Sequence, residues 1–244
     1  MVTKLTKHAS GQRHLRWGRE VLASIHAHIK LNHELTEPQI HVLNAEKATW
    51  SALVSELEAA VVPYRQYLDT AYIDNRAEQR VGDYLCDTAI QHADGAFRHL
   101  KEDVAAHLPG GFSSILSNLA LSRILSAGRA KTVELTRNAA LLIESLPGSF
   151  VAAQSIAAKL NKAADSLAAA NEHRAEVIDP QRKPLRLRVE RAVMDLREGS
   201  EQMDGRLRSH FPGRFIDSLY PELNRNQSQV PDDETDETDL SDMD

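Results

Sequence analysis

One six-residue motif occurs twice in this sequence of 244 residues. It reads His107-Leu-Pro-Gly-Gly-Phe112, and it returns 103 residues later as His210-Phe-Pro-Gly-Arg-Phe215. Proline blocks continuation of a helix, glycine accepts a left-handed conformation, and phenylalanine packs back on the helix that has ended. The motif therefore predicts the end of a helix in each half of the chain.

Further matches flank the motif in the same order. Asp94-Gly95 recurs as Asp204-Gly205, at an offset of 110, and Ile73-Asp74 recurs as Ile178-Asp179. Collinear matches at similar offsets indicate a tandem duplication. We therefore expect two three-helix units that pack as one body, the first at residues 1–116 and the second at 117–225.

The composition favours helices over strands. Ala and Leu are abundant, aromatic residues make up only 5% of the chain, and no Val/Ile alternation typical of a strand is present. Helical periodicity and end signals predict helices at about residues 11–34, 36–73, 76–107, 112–146, 149–177 and 184–210. The expected fold is an all-α six-helix up-and-down bundle formed by the two tandem units.

The junctions between these helices carry capping and breaking residues. Thr36 before Glu37 and Pro38 reads as the N-cap of the second helix. Pro63 predicts a kink or break inside that helix. Asp74-Asn75 and Asp179-Pro180 read as turns, which would make the helices on either side of them antiparallel neighbours.

The acidity of the chain is concentrated at its C-terminal end. The formal charge is −6 for the whole chain and −8 for residues 226–244, which leaves +2 for residues 1–225. Such a polar, acidic segment does not bury enough apolar surface to fold alone, so we expect a disordered tail. Leu240 and Met243 among the acids fit a short binding peptide or an autoinhibitory segment, and a solubilising end is the alternative.

Several function classes are disfavoured by what the sequence lacks. The single cysteine, Cys86, excludes an internal disulfide, fits a reducing compartment and is expected to be a buried, inert thiol. The polar, basic stretch Met1–Arg16 does not resemble a secretory signal, and about 18 uninterrupted apolar residues occur nowhere. A cytoplasmic protein without a membrane span is therefore expected.

Four histidines suggest a metal site. His26 and His33 fall on the predicted apolar stripe of the first helix, and His92 and His99 fall on that of the third, with Val81, Leu85 and Thr88. If those helices touch, the four imidazoles can converge on zinc or a similar metal. No Glu-x-x-His pattern accompanies them, and hydrogen-bonded histidines are much commoner, so no metal or cofactor is predicted.

The histidines of the repeated motif have a structural explanation. His107 and His210 each lie in the last turn of a predicted helix, where an imidazole bonds a free carbonyl and favours the helix dipole. A paired site formed by the two imidazoles is the functional alternative.

One basic stretch is the main candidate for partner binding. Its five cations lie within ten residues: Arg182, Lys183, Arg186, Arg188 and Arg191. At a predicted helix start they oppose the helix dipole, so they do not serve helix stability. An anionic partner, a membrane surface or the acidic tail would satisfy them, whereas the body's charge of +2 is far below that of a nucleic-acid binder.

The sequence contains no catalytic motif, so three functions are weighed. The first is a non-enzymatic helical structural or protein-interaction protein that binds a protein partner or itself. The alternative is a binding module for an anionic partner, either an acidic surface or, less expected, nucleic acid, through Arg182–Arg191. The third is a metal-dependent helical-bundle enzyme that uses the four histidines of the first unit: His26, His33, His92 and His99.

Overall fold

The structure is a computed structural model that describes residues 9–221. Of these residues 84% are helical and none forms a strand, which confirms the all-α prediction. Six helices have 16 residues or more, as expected. In chain order the helices are α1 (Gly11–Leu31), α2 (Glu37–Tyr67), α3 (Ile73–Phe97), α4 (Lys101–Ala105), α5 (Leu121–Leu125), α6 (Arg129–Glu144), α7 (Ala153–His173), α8 (Asp179–Leu207) and α9 (Gly213–Leu219). The up-and-down bundle and the tandem units are not confirmed.

Helix α2 begins where the sequence predicts. Thr36 lies immediately before it, and the backbone N–H of Thr36 donates to Oε1 of Gln39 at 3.0 Å, which is half of a capping box. The helix then continues through Pro63 to Tyr67, so the predicted kink does not become a break.

The predicted turns at Asp74-Asn75 and Asp179-Pro180 are wrong, since α3 begins at Ile73 and α8 at Asp179. The π turn Leu68–Tyr72 joins α2 to α3, and the π turn Arg174–Ile178 joins α7 to α8, with no non-helical residue between them. In a π turn each N–H bonds the carbonyl five residues back, so a helix changes register without ending.

The predicted fourth helix is interrupted. A 3₁₀ turn covers Phe112–Leu116, and Ser117 and Asn118 then adopt positive φ angles of 53° and 56°. The Ser113 hydroxyl donates to Oδ1 of Asn118 at 3.1 Å. Ser and Asn side chains compete in this way with helical hydrogen bonds, and the long helix of this region, α6, begins only at Arg129.

Residue contacts divide the chain into two compact units. Within residues 9–221, unit I comprises the chain up to Tyr67 and from Arg182 onward, and unit II comprises Leu68–Gln181. Unit I therefore contains α1, α2, nearly all of α8, and α9. Unit II contains α3 to α7. This division differs from the expected boundary between residues 116 and 117.

In unit I, α1 and α8 run parallel at close distance. A Cβ added at Gly11 would lie 2.6 Å from Val189 of α8. A Cβ added at Gly18, seven residues further along α1, would lie 3.4 Å from Leu196, seven residues further along α8. The matching advance along both helices fixes their parallel direction.

Helix α2 runs antiparallel to both of them. Seen from α1, Gly11 faces Val61 and Gly18 faces Val54, so α2 advances in the opposite direction. The core that the three helices enclose is rich in aromatic rings: Trp17 contacts Trp50 edge-on, with ring centroids 5.6 Å apart.

In unit II, α3 and α6 are parallel and α7 is antiparallel to α3. Gln79 of α3 contacts Arg129 of α6, and Cys86 contacts Thr136, so both helices advance by seven residues together. Gln79 contacts Asn171 of α7, and Gly82, three residues later in α3, lies against Leu167, four residues earlier in α7. The two helices therefore run in opposite directions. The core of this unit consists mainly of Leu, Ile and Ala side chains.

Two glycines of α3 test this packing. At Gly82 an added Cβ would lie 2.9 Å from the Leu167 Cα, so we expect Gly82→Ala to lower the free energy of unfolding by about 1–3 kcal/mol. Gly95 has no atom within 4 Å, so Gly95→Ala should raise it by about 0.5–1 kcal/mol through helix propensity. Urea denaturation of both variants measures the two effects, and equal effects would contradict the close approach of α3 to α7.

Candidate functional site

The basic stretch lies inside a helix rather than at a helix start. α8 follows the π turn Arg174–Ile178 directly, and that turn follows α7, so Arg182–Arg191 has helical residues on both sides. The expected opposition to a helix dipole is therefore wrong, because the dipole acts only at a free helix end. The cations require another explanation.

Most of these cations are on the surface. Arg186 donates from Nε to Oε1 of Glu190 at 2.8 Å, an i,i+4 ion pair. Lys183, Arg188 and Arg191 are exposed, and none of them forms an ion pair within residues 9–221. Arg182 is half-buried.

Two apolar side chains lie among the exposed cations of α8. Leu187 is 53% exposed and Met194 is 69% exposed. They are seven residues apart, two turns of the helix, and point away from the core residues Val189 and Leu196. We define the α8 face as the exposed side chains of residues 183–194. It combines positive charge with apolar area.

A second exposed surface lies on α3. Val81, Tyr84 and Leu85 are 58%, 67% and 41% exposed, at helical spacings that place them together. We define the α3 face as these three residues and their neighbours Arg80 and Asp87. The prediction that Val81, Leu85 and Thr88 face the core is wrong.

The buried side of α3 is instead small and polar near its start. Asn75, Gln79, Gly82 and Cys86 are buried there. Small side chains allow α7 to approach closely, and the buried amides find partners on α7. Apolar residues are consequently left on the outer surface of α3.

Acidic side chains border the α3 face. Asp83 and Asp87 are one helical turn apart, and neither forms an ion pair within the described part of the chain. Burial and the neighbouring Asp83 carboxylate raise the pKa of Asp87. Arg80 is exposed on the same helix, seven residues before Asp87, and also lacks an ion pair among residues 9–221.

The four candidate metal-ligating histidines are all exposed. His26 and His33 belong to unit I, and His92 and His99 belong to unit II. His26 accepts a hydrogen bond at Nδ1 from Nζ of Lys47, at 3.1 Å. Within residues 9–221 no group of three or more His, Cys, Asp or Glu side chains is placed to hold a metal ion.

The repeated motif ends a helix in both copies, but with different backbones. In the first copy Gly110 and Gly111 have φ angles of 83° and 79°, the left-handed region that only glycine adopts easily. In the second copy Gly213 instead begins α9. His107 contacts the Phe150 ring edge-on, and the backbone carbonyl of His210 accepts from Gln39 at 3.1 Å.

The thiol of Cys86 is fully buried, as the sequence predicts. Burial raises its pKa to about 11, with smaller contributions from the carboxylates of Asp83 and Asp87. Because the thiolate is the reactive form of cysteine, this group is unreactive near neutral pH.

Sequence reasoning missed a polar cluster in the interior of unit II. Oε1 of Gln79 accepts from Nη1 of Arg129 at 3.2 Å and from Nη1 of Arg174 at 3.3 Å, while Nε2 of Gln79 donates to Asn171 at 2.9 Å. These partners lie 50, 95 and 92 residues away in the chain, so no local pattern marks them. Both Oε1 and Nε2 of Gln79 have hydrogen-bond partners, which fits a role in packing the helices together.

It also missed a partly buried ion pair in unit I, between a buried Glu46 side chain and an Arg206 side chain that is 47% exposed. The Glu46 carboxylate accepts from Nε and Nη2 of Arg206, at 2.6 and 2.8 Å, in a bidentate pair. This pair raises the pKa of Arg206 and links α2 to the end of α8. Removing Arg206 would leave the buried Glu46 carboxylate uncompensated.

The predicted acidic tail, residues 226–244, lies outside the described residues. Within residues 9–221, no helix is both long enough and apolar enough to cross a membrane.

No protein-family model, no curated protein and no solved structure matches this chain.

A buried histidine in unit I yields a prediction about pH. Nδ1 of His14 donates to the Ser10 carbonyl at 3.0 Å, whereas its Nε2 is buried without a hydrogen-bond partner among the described residues. Burial lowers the pKa of His14 below 6.5, and the charge of Arg197 lowers it further. The folded chain therefore binds this proton more weakly than the unfolded chain, and stability falls as the pH drops below 6.5.

We expect the free energy of unfolding to decrease between pH 7.5 and pH 5.5, and His14→Gln to reduce that decrease by about 1 kcal/mol. Glutamine keeps a donor for the Ser10 carbonyl but takes up no proton. Urea denaturation at the two pH values measures the difference. The exposed His99 provides the control, His99→Gln, and an equal reduction in both variants would refute the assignment to His14.

Proposed function

We propose that this protein is a non-enzymatic protein-interaction protein, and that it associates with a second copy of itself through the α3 face. The observation that carries the proposal is the exposure of Val81, Tyr84 and Leu85 as one contiguous apolar area on one helix. Aromatic and aliphatic side chains grouped in this way are typical of the centre of protein interfaces.

The charges beside this area favour a second copy as the partner. Two α3 helices that pack antiparallel about a twofold axis at Tyr84 form an isologous contact, in which both copies use the same surface. Residues that precede Tyr84 in one copy then face residues that follow Tyr84 in the other. Arg80 precedes Tyr84 by four residues and Asp87 follows it by three, which is about 6 and 4.5 Å along the helix. Arg80 of one copy then lies beside Asp87 of the other, and it relieves the repulsion between Asp83 and Asp87.

Sedimentation equilibrium of the full chain tests this pairing. We expect concentration-dependent dimers, a dissociation constant raised at least about tenfold by Tyr84→Ser, and weaker association in Arg80→Asp. The double variant Arg80→Asp/Asp87→Arg exchanges the two charges and should recover the association that Arg80→Asp loses.

A matched control is available on another helix of unit II. Leu141 of α6 is also exposed, and Leu141→Ser should leave the dissociation constant unchanged. Monomers at all concentrations, or a charge exchange without recovery, would refute the α3 contact.

The tandem duplication remains part of our proposal, and the order of the elements supports it. The series helix, helix, π turn, helix occurs twice, and the first residues of the two π turns, Leu68 and Arg174, are 106 positions apart. On this interpretation each compact unit contains two helices of one repeat and the third helix of the other.

Binding of an anionic partner is the second candidate, and the exposed cations of the α8 face support it. A metal-dependent enzyme has no observation in its favour among the described residues. The cytoplasmic location stays a prediction.

A further inference from the structure

We infer that the acidic C-terminal segment, residues 232–244, binds the α8 face of its own chain and covers the cations there. This inference concerns unit I and does not depend on the proposed pairing of α3.

Charge complementarity is the first argument. Residues 182–194 contain five cations and one acid, Glu190, which is already paired with Arg186. Residues 232–244 contain eight acids and no cation. The remaining cations of the α8 face, at Lys183, Arg188 and Arg191, thus face solvent while the densest negative charge of the sequence lies in the same chain.

The apolar residues complement each other as well. The exposed Leu187 lies among the cations of the α8 face, and the exposed Met194 lies at its C-terminal end. The acidic segment contains two large apolar residues, Leu240 and Met243, among its carboxylates. A purely electrostatic contact would need neither pair, whereas an amphipathic contact buries all four.

The end of the described chain is already anchored to α8. Tyr220 is buried, and its hydroxyl bonds the Asp204 carboxylate and the Ser200 carbonyl. Along the helix, Ser200 and Lys183 are about 25 Å apart at 1.5 Å per residue. The twelve residues from Tyr220 to Asp232 span up to about 40 Å, so the acidic segment reaches the whole face.

The other half of α8 restricts where the segment binds. Asp195, Glu198, Glu201 and Asp204 follow the basic stretch in the same helix. These carboxylates repel an acidic peptide, so its favourable position is over residues 183–194, beyond the point where Tyr220 is anchored.

A spin label on the acidic segment tests the contact in the full chain. The variant Ser241→Cys is labelled with a nitroxide, while the buried thiol of Cys86 stays unmodified at neutral pH. At an ionic strength of about 0.01 M we expect the label to broaden the amide NMR signals of residues 183–194, and about 1 M salt should remove that broadening.

Charge variants distinguish binding at the α8 face from attraction of the acidic segment to any positively charged surface of the protein. Lys183→Glu/Arg191→Glu on the α8 face should abolish the broadening at low salt. Lys159→Glu/Lys162→Glu changes two exposed lysines of α7 by the same total charge and should leave it intact. Thermal denaturation confirms that both double variants remain folded.

Two outcomes would overturn the inference. The first is broadening that is absent, or spread over the surface without preference for residues 183–194. The second is broadening that arises only between chains, when nitroxide-labelled chains without ¹⁵N are mixed with ¹⁵N-labelled chains without a nitroxide. The segment would then bind a second copy.

Discussion

Two π turns allow single helical runs to enter two different cores. The chain stays helical from α2 through Leu68–Tyr72 into α3, and from α7 through Arg174–Ile178 into α8. α2 and α8 contribute to the core of unit I, and α3 and α7 contribute to that of unit II. Unit I therefore combines helices from before Leu68 and after Gln181, whereas unit II is the single continuous stretch between the two.

Helix register is fixed by different interactions in the two units. In unit I, large side chains of α2 and α8 fill the space beside Gly11 and Gly18, and a bidentate ion pair to the buried Glu46 holds the end of α8 against α2. In unit II, small residues bring α3 and α7 together, and buried amides bond across them. Buried polar contacts tolerate few alternative alignments, so they specify the register that apolar packing alone leaves degenerate.

The sequence predicted what local chemistry determines. The helix content, the start of α2 after Thr36 and the burial of Cys86 follow from propensity, capping and side-chain type. The π turns were missed because Asp-Asn and Asp-Pro look the same in a turn as in the first turn of a continuing helix. The buried face of α3 was predicted wrongly because it depends on how closely α7 approaches. The basic stretch was found, but its surroundings inside a continuous helical run were not predicted.

The division of the helices has a consequence for folding on the ribosome. All the helices of unit II lie within one continuous stretch, Leu68–Gln181, so their contacts are complete once that stretch has emerged. α1 and α2 emerge earlier, yet the third helix of their core, α8, is synthesised only after the whole of unit II. The apolar side chains of α1 and α2 that pack against α8 therefore stay uncovered while more than a hundred residues are added, and these early helices belong to the last core completed.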